Sequence, residues 1–178
     1  MKILFVGPQG SGKSTQAKLL ADYLKVPYIS TGDIFRQLRE AGSEEGKRIR
    51  EIYDLGKLID DPTTVEIVKK RLSESDCVDG FILDGYPRNI EQVKLYDPGF
   101  DKVIYLKISD EEALKRLLAR GRVDDTRELI AERLRIYHQL TDPILDYYQQ
   151  KGSLITIEGL GTIDDIQNQL REVVSGQK

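Results

Sequence analysis

KILFVGPQGSGKST, residues 2–15, carries the reading on which the fold turns. Lys2–Val6 is a short apolar run of strand type, and helical spacing follows over Gln16–Lys25. Between them, Gly7-Pro8-Gln9-Gly10-Ser11-Gly12-Lys13-Ser14-Thr15 fits G-x-x-x-x-G-K-[ST]. Strand, glycine loop and helix is the context this motif requires. The glycines allow a tight loop whose N–H groups turn inward around an anion, and the helix N-terminus adds partial positive charge. Gly10, Ser11, Gly12, Lys13, Ser14 and Thr15 are therefore a candidate nucleotide-phosphate site. Lys13 is expected to bridge β- and γ-phosphate oxygens, and the Ser14 hydroxyl to be a ligand for Mg²⁺.

Outward from this stretch the elements alternate. Pro27–Ser30, Gly80–Asp84, Lys102–Ile108 and Ser153–Ile157 read as further buried strands. Thr63–Ser73, Glu111–Arg120, Arg127–Gln150 and Asp164–Val174 carry helical spacing. Alternation of this kind predicts an α/β fold with a parallel sheet covered on both faces and ligands beyond the carboxyl ends of its strands. The polar and glycine-rich stretches do follow strands, at Gly7, Thr31, Gly85 and Gly159. Residues 31–74 depart from the alternation and are read as a helical insert beside the sheet.

The 178 residues are read as a single domain over 1–178, since no repeat or flexible linker divides them. With 27 Lys and Arg against 30 Asp and Glu, no broad basic field favours nucleic acid or an anionic membrane. An anionic ligand must be met by a local cluster. Cys77 is the one cysteine, so neither an intrachain disulfide nor a cysteine-based zinc site is expected. His138, also alone, is assigned to helix packing or the surface. The N-terminal apolar run is too short for a signal peptide or membrane span, and a cytoplasmic protein is expected.

Further stretches sit where a second ligand would: Ser30-Thr31-Gly32-Asp33 with Arg36, Gly56-Lys57-Leu58-Ile59, and Asp84-Gly85-Tyr86-Pro87-Arg88 with Gln92. A fourth is RLLARGRVDDTRE, residues 116–128, with four arginines. Together with the loop at 7–15 they resemble the adenylate kinase family, from Met1 to about Tyr148 and more weakly beyond. The resemblance implies a three-layer P-loop fold with a five-stranded parallel sheet, a helical AMP-binding insert and a mobile lid. It implies Mg²⁺-dependent transfer of the γ-phosphoryl of ATP to AMP, giving two ADP. Thr31 matches the family residue near the AMP adenine, Arg36 and Arg88 those that hold the AMP phosphate, and Gln92 the amide that reads the adenine edge. Gly56, Lys57, Leu58, Ile59 and Gly85 would line the same pocket, the side chain of Lys57 being read as a surface lysine. A helix opening near Asn89 would set Arg88 and Gln92 on one face, about 5.4 Å apart in rise.

In the family pattern Arg116 lies against the ATP base, while Arg120, Arg122 and Arg133 surround the moving phosphoryl group. Asp124 and Asp125 match the acid pair that orients them. Asp84, at a strand end beside the loop, is expected to hold waters of the Mg²⁺ shell. The acceptor is already an anionic phosphate, so no general base is needed.

One departure is large. Long-form relatives place a lid domain between the equivalents of Arg120 and Arg122, and here Gly121 alone stands between them. Residues 120–122 are read as a vestigial lid turn, and neither the lid nor its zinc is expected. Gln9 replaces the usual proline and Ser14 the usual glycine. Two other readings share these motifs. One is a UMP/CMP-type kinase, which Asn89 favours and Thr31, Asp33 and Gln92 oppose. The other is a non-catalytic ATP/AMP-binding module. A monomer is expected.

Overall fold

The computed structural model describes residues 1–54, 59–121 and 125–176. Of the residues singled out above, Gly56, Lys57, Leu58, Arg122 and Asp124 lie outside the described residues.

β1 (Lys2–Val6) is buried from Ile3 to Val6 because both of its faces are covered. Ile3 and Phe5 face one layer and Leu4 and Val6 the other, as the two-residue period of a strand requires. β1 pairs in parallel with β3 (Phe81–Asp84) on one side and β4 (Lys102–Lys107) on the other. β2 (Tyr28–Ser30) and β5 (Leu154–Glu158) complete a five-stranded, all-parallel sheet in the order β2-β3-β1-β4-β5. The strand order reverses at β1, so its carboxyl end opens between neighbours that diverge, which is where open α/β sheets hold ligands.

α1 (Lys13–Leu24) and α8 (Ile163–Ser175) cover one face, setting Ala17, Leu20, Ile166 and Leu170 on Ile3, Phe5, Ile82 and Ile104. On the other face α4 (Asp61–Leu72) and α7 (Arg127–Gln150) bring Val65, Val68, Ile144 and Tyr148 to Leu4, Leu83 and Val103. α6 (Asp110–Arg120) packs on α7 through Ala113, Leu117, Ile130 and Leu134. A further short helix is α5 (Ile90–Leu95).

α2 (Thr31–Glu40), α3 (Glu44–Asp54) and α4 follow β2 without an intervening strand. Phe35, Ile49 and Ile67 form a small apolar cluster of their own, with Ile59 packed against it. The Ser30 hydroxyl accepts the Asp33 N–H at 3.4 Å and starts α2, and Asp60 accepts the Thr63 N–H at 2.9 Å and starts α4.

Most boundaries fall within a residue or two of expectation. α1 is the exception, starting at Lys13 rather than Gln16 because Gly12 itself, at φ 87°, serves as the helix's first flanking residue. α2, α3 and α5 are the helices that periodicity over the insert and its neighbours did not delimit. Among the described residues no helix is long and apolar enough to cross a membrane.

Candidate active site

The loop between β1 and α1 is held open by backbone geometry. Gly10 and Gly12 have φ of 85° and 87°, where a side chain is strained. A Cβ on Gly10 would stand 3.1 Å from the Ala113 carbonyl oxygen and 3.2 Å from Leu117, so α6 closes against the loop's back. A Cβ on Gly12 would meet nothing within 4 Å, because that side of the loop faces open space. Ser11 is buried, and its hydroxyl accepts the Lys13 N–H at 3.4 Å. Ser11 therefore shapes the loop from inside, leaving its backbone to meet a ligand. The cleft in front measures about 440 Å³ and is lined by Gly12, Lys13, Ser14, Thr15, Arg116 and Arg120 among others.

At the end of β3, Asp84 is buried and its Oδ2 accepts two hydroxyls, Ser14 at 2.6 Å and Tyr28 at 2.9 Å. Burial first, and then the Asp84 charge, push the Tyr28 phenol up to about 12, so it remains a donor. Tyr28 was not among the expected site residues. Its signal was available, since Tyr28 and Ser30 alternate with buried Ile29 on the strand beside β3.

The Lys13 ammonium makes no hydrogen bond or ion pair with the described residues. Burial holds its ammonium below the usual lysine range; the Asp84 charge opposes this and the Arg88 charge adds to it. An unpaired cation is thus kept beside a second cation from another loop. The pair would be relieved by anionic oxygens placed between them.

Around Arg88 the structure differs from the expected helix face. Asn89 is the N-cap of α5, its Oδ1 accepting the Gln92 N–H at 2.8 Å, so Arg88 precedes the helix and shares no face with Gln92. The two are joined instead through the backbone, the Arg88 N–H donating to Gln92 Oε1 at 2.8 Å. The cap takes precedence because asparagine in extended backbone satisfies an otherwise orphaned N–H. Arg88 Nε donates to the Gly85 carbonyl at 2.9 Å, and the buried Thr31 hydroxyl donates to the same oxygen at 2.9 Å. Gly85 has φ 89°, and a Cβ there would come within 2.5 Å of Thr31 Oγ1. Thr31, Gly85 and Arg88 are therefore one assembly.

Gln92 is 5% exposed, and its Nε2 donates to Asp61 Oδ1 at 2.7 Å. Arg36 is exposed and pairs with Asp33 one turn earlier. Ile59 lies against the insert's own apolar cluster.

Arg120 meets Asp125 in two-point fashion, Nε at 2.9 Å from Oδ2 and Nη2 at 2.8 Å from Oδ1. Arg133 Nη1 donates to the same Oδ1 at 3.3 Å. The Asp125 side chain is fully buried beneath arginine side chains that are 35% and 29% exposed. Asp125 thus gathers arginines from α6 and α7 into one rigid cationic edge. Arg116 is fixed by Glu112 at 2.6 Å, by the Gly159 carbonyl at 2.9 Å and by the Gly10 carbonyl at 3.4 Å, which ties the cleft's outer wall to the loop.

Among the described residues no group of three or more His, Cys, Asp and Glu side chains is placed to hold a metal ion. Ser14 and Asp84 offer one hydroxyl and one carboxylate together at the cleft. So sparse an oxygen set suits magnesium, which keeps its waters and arrives on substrate phosphates.

Comparison with known proteins agrees with this geometry. The family profile described as adenylate kinase matches residues 5–153. An adenylate kinase of Corynebacterium urealyticum is 43% identical over 173 residues, covering 93% of this chain and 94% of the relative. One of Bifidobacterium longum is 43% identical over 181 aligned positions, covering 96% and 97%. One of Leptospira biflexa is 40% identical over 178, covering 94% and 96%. Near-equal coverage means that these relatives are about as long as this chain.

Proposed function

This chain belongs to the adenylate kinase family, and on that premise we propose that it transfers the γ-phosphoryl of MgATP reversibly to AMP, giving two ADP, through the residues gathered around its cleft. The observation that carries the reading is the unpaired ammonium of Lys13, held low by burial and also by the charge of Arg88. A lysine from the donor loop and an arginine from the acceptor loop stand near enough for their charges to interact, as end-to-end phosphates require.

In this mechanism the N–H groups of residues 10–15 and Lys13 cradle the donor phosphates. Ser14 and Asp84 would hold magnesium and its waters, the ion supplying neutralisation of the phosphate oxygens. Arg88 and Arg36 hold the acceptor phosphate, Arg36 leaving Asp33 to do so. Arg120 and Arg133, set by Asp125, stabilise the charge spread over the equatorial oxygens of the transition state, and Arg122 is assigned to the same group. Arg116 flanks the donor base, and Thr31, Gly85, Gln92 and residues 56–59 enclose the acceptor nucleoside. The helices of 31–74 act as the acceptor-binding insert, and the turn at 120–122 takes the place of a lid.

Asn89 caps α5 and donates to Asp61. Its presence therefore has a structural reason and does not argue for a pyrimidine acceptor. The test is ADP formation from MgATP with AMP, CMP, UMP or GMP. AMP is expected to be the best acceptor, and Arg88→Ala to lower turnover by at least about 10²-fold, the scale of losing one transition-state donor. Turnover with no acceptor dependence would refute the reading.

A further inference from the structure

Gln92 lies between two groups of opposite hydrogen-bonding sense. The Arg88 N–H can only donate, and it meets Oε1 at 2.8 Å. The Asp61 carboxylate can only accept, and its Oδ1 meets Nε2 at 2.7 Å. Turning the amide over would set N–H against N–H at one end and oxygen against carboxylate at the other. Both clashes are buried, since Gln92 is 5% exposed. The amide therefore has one orientation.

Each end keeps one unused position, a lone pair on Oε1 and an N–H on Nε2. A base read by that edge must donate to Oε1 and accept from Nε2. Adenine does so with its 6-amino group and N1, and cytosine with its 4-amino group and N3. Guanine, hypoxanthine and uracil present the opposite order, an oxo group beside a ring N–H.

We propose that Asp61 is a specificity-determining positioning residue: by locking the Gln92 amide it makes the acceptor site select 6-amino (or 4-amino) bases over their oxo counterparts. Asp61 heads α4, where Asp60 already supplies the cap. Capping thus leaves the second carboxylate unexplained, whereas the Gln92 contact uses it. Asn89 Nδ2 also donates to both Asp61 oxygens at 3.1 Å.

The inference rests on the acceptor-site reading above, and a comparison of AMP with IMP separates the two. These acceptors differ at the 6-position and N1 and share ring size and phosphate. Wild type should favour AMP in kcat/KM by well over tenfold. Asp61→Asn keeps the shape and can either donate or accept, so the amide can turn at the expense of the Arg88 contact and one Asn89 contact. The AMP-to-IMP ratio should fall about tenfold, with KM for ATP unchanged. Asp61→Ser, whose hydroxyl also works both ways, should do the same and serves if Asp61→Asn does not fold. Asn89→Ser keeps the cap, leaves Asp61 on Gln92 and should preserve the ratio.

Equal losses for AMP and IMP in the Asp61 variants, or an equal fall of the ratio in Asn89→Ser, would overturn the proposal while leaving the AMP kinase reading intact. No phosphorylation of AMP by wild type would instead remove that reading itself.

Discussion

Asp125 shows how little of a residue's role lies in its own chemistry. Its carboxylate is buried, and the guanidinium groups of Arg120 and Arg133 are oriented by it. Without it, two arginines would repel one another at the edge of the cleft. Asp125→Ala is expected to lower stability by about 1–3 kcal/mol, because a buried charged partner is lost while the arginines remain partly solvated. It should also lower turnover about ten- to hundredfold. Chemical denaturation and steady-state rates check the two effects separately, and a stability loss with unchanged turnover would limit Asp125 to a structural role. The arginines themselves could be read from their crowding into residues 116–133. Which of them share a carboxylate could not, since a contact between Arg120 and Asp125 depends on how the chain turns between helices.

At the scale of elements, α6 and α7 form the hairpin that carries Arg116, Arg120 and Arg133. Its apolar seam runs through Ala113, Leu117, Ile130 and Leu134. A polar clasp closes its far end, where His138 Nε2 lies 2.8 Å from Asp110 Oδ1, with Asp142 3.7 Å from Nδ1. The hydrogen bond to Asp110 is the main cause that raises His138 above its ordinary 6.5. A raised folded-state value means that the clasp's contribution is fully present below pH 6.5 and disappears as pH rises through the elevated value. The ring is 40% exposed, so the contribution is under about 1 kcal/mol after solvent screening. Urea unfolding of wild type and His138→Gln should therefore differ near pH 5.5 and converge near pH 8.5. A gap that widened toward alkaline pH would contradict the assignment. Helix spacing made α6 and α7 legible, and the range of α7 agrees with expectation to the residue. α2, α3 and α5 were less legible, because α5 is a single capped turn and a half whose start depends on Asn89.

For the molecule as a whole, the question is how water is kept from the donor phosphate. α6 ends at Arg120 and α7 begins at Arg127, so residues 121–126 are all the chain available between them. No substantial lid domain can be built from so short a connection. If closure rests on the arginine edge and on motion of the 31–74 helices, the site should exclude water less completely than one covered by a long lid. We expect measurable ATP hydrolysis without AMP, above that of a long-lid adenylate kinase assayed alongside. A background no higher than the long-lid enzyme's would count against this account of closure. Lid closure normally both excludes water and completes the catalytic set.

Residue order alone was enough for the phosphate loop, the alternating parallel sheet and the family, because each rests on local spacing: glycines that free the backbone, and apolar residues at periods of two or near four. It also located the cationic side chains. Folding decided which polar groups face one another. Tyr28 and Ser14 converge on Asp84 from separate elements, and Asp61 reaches Gln92 across residues that are distant along the chain. Such pairings depend on how β2, β3 and α4 pack, and hydrogen bonds between distant residues leave no periodic trace. The sense in which a buried amide points is set by its neighbours in space, since burial removes the water that would otherwise accept either orientation.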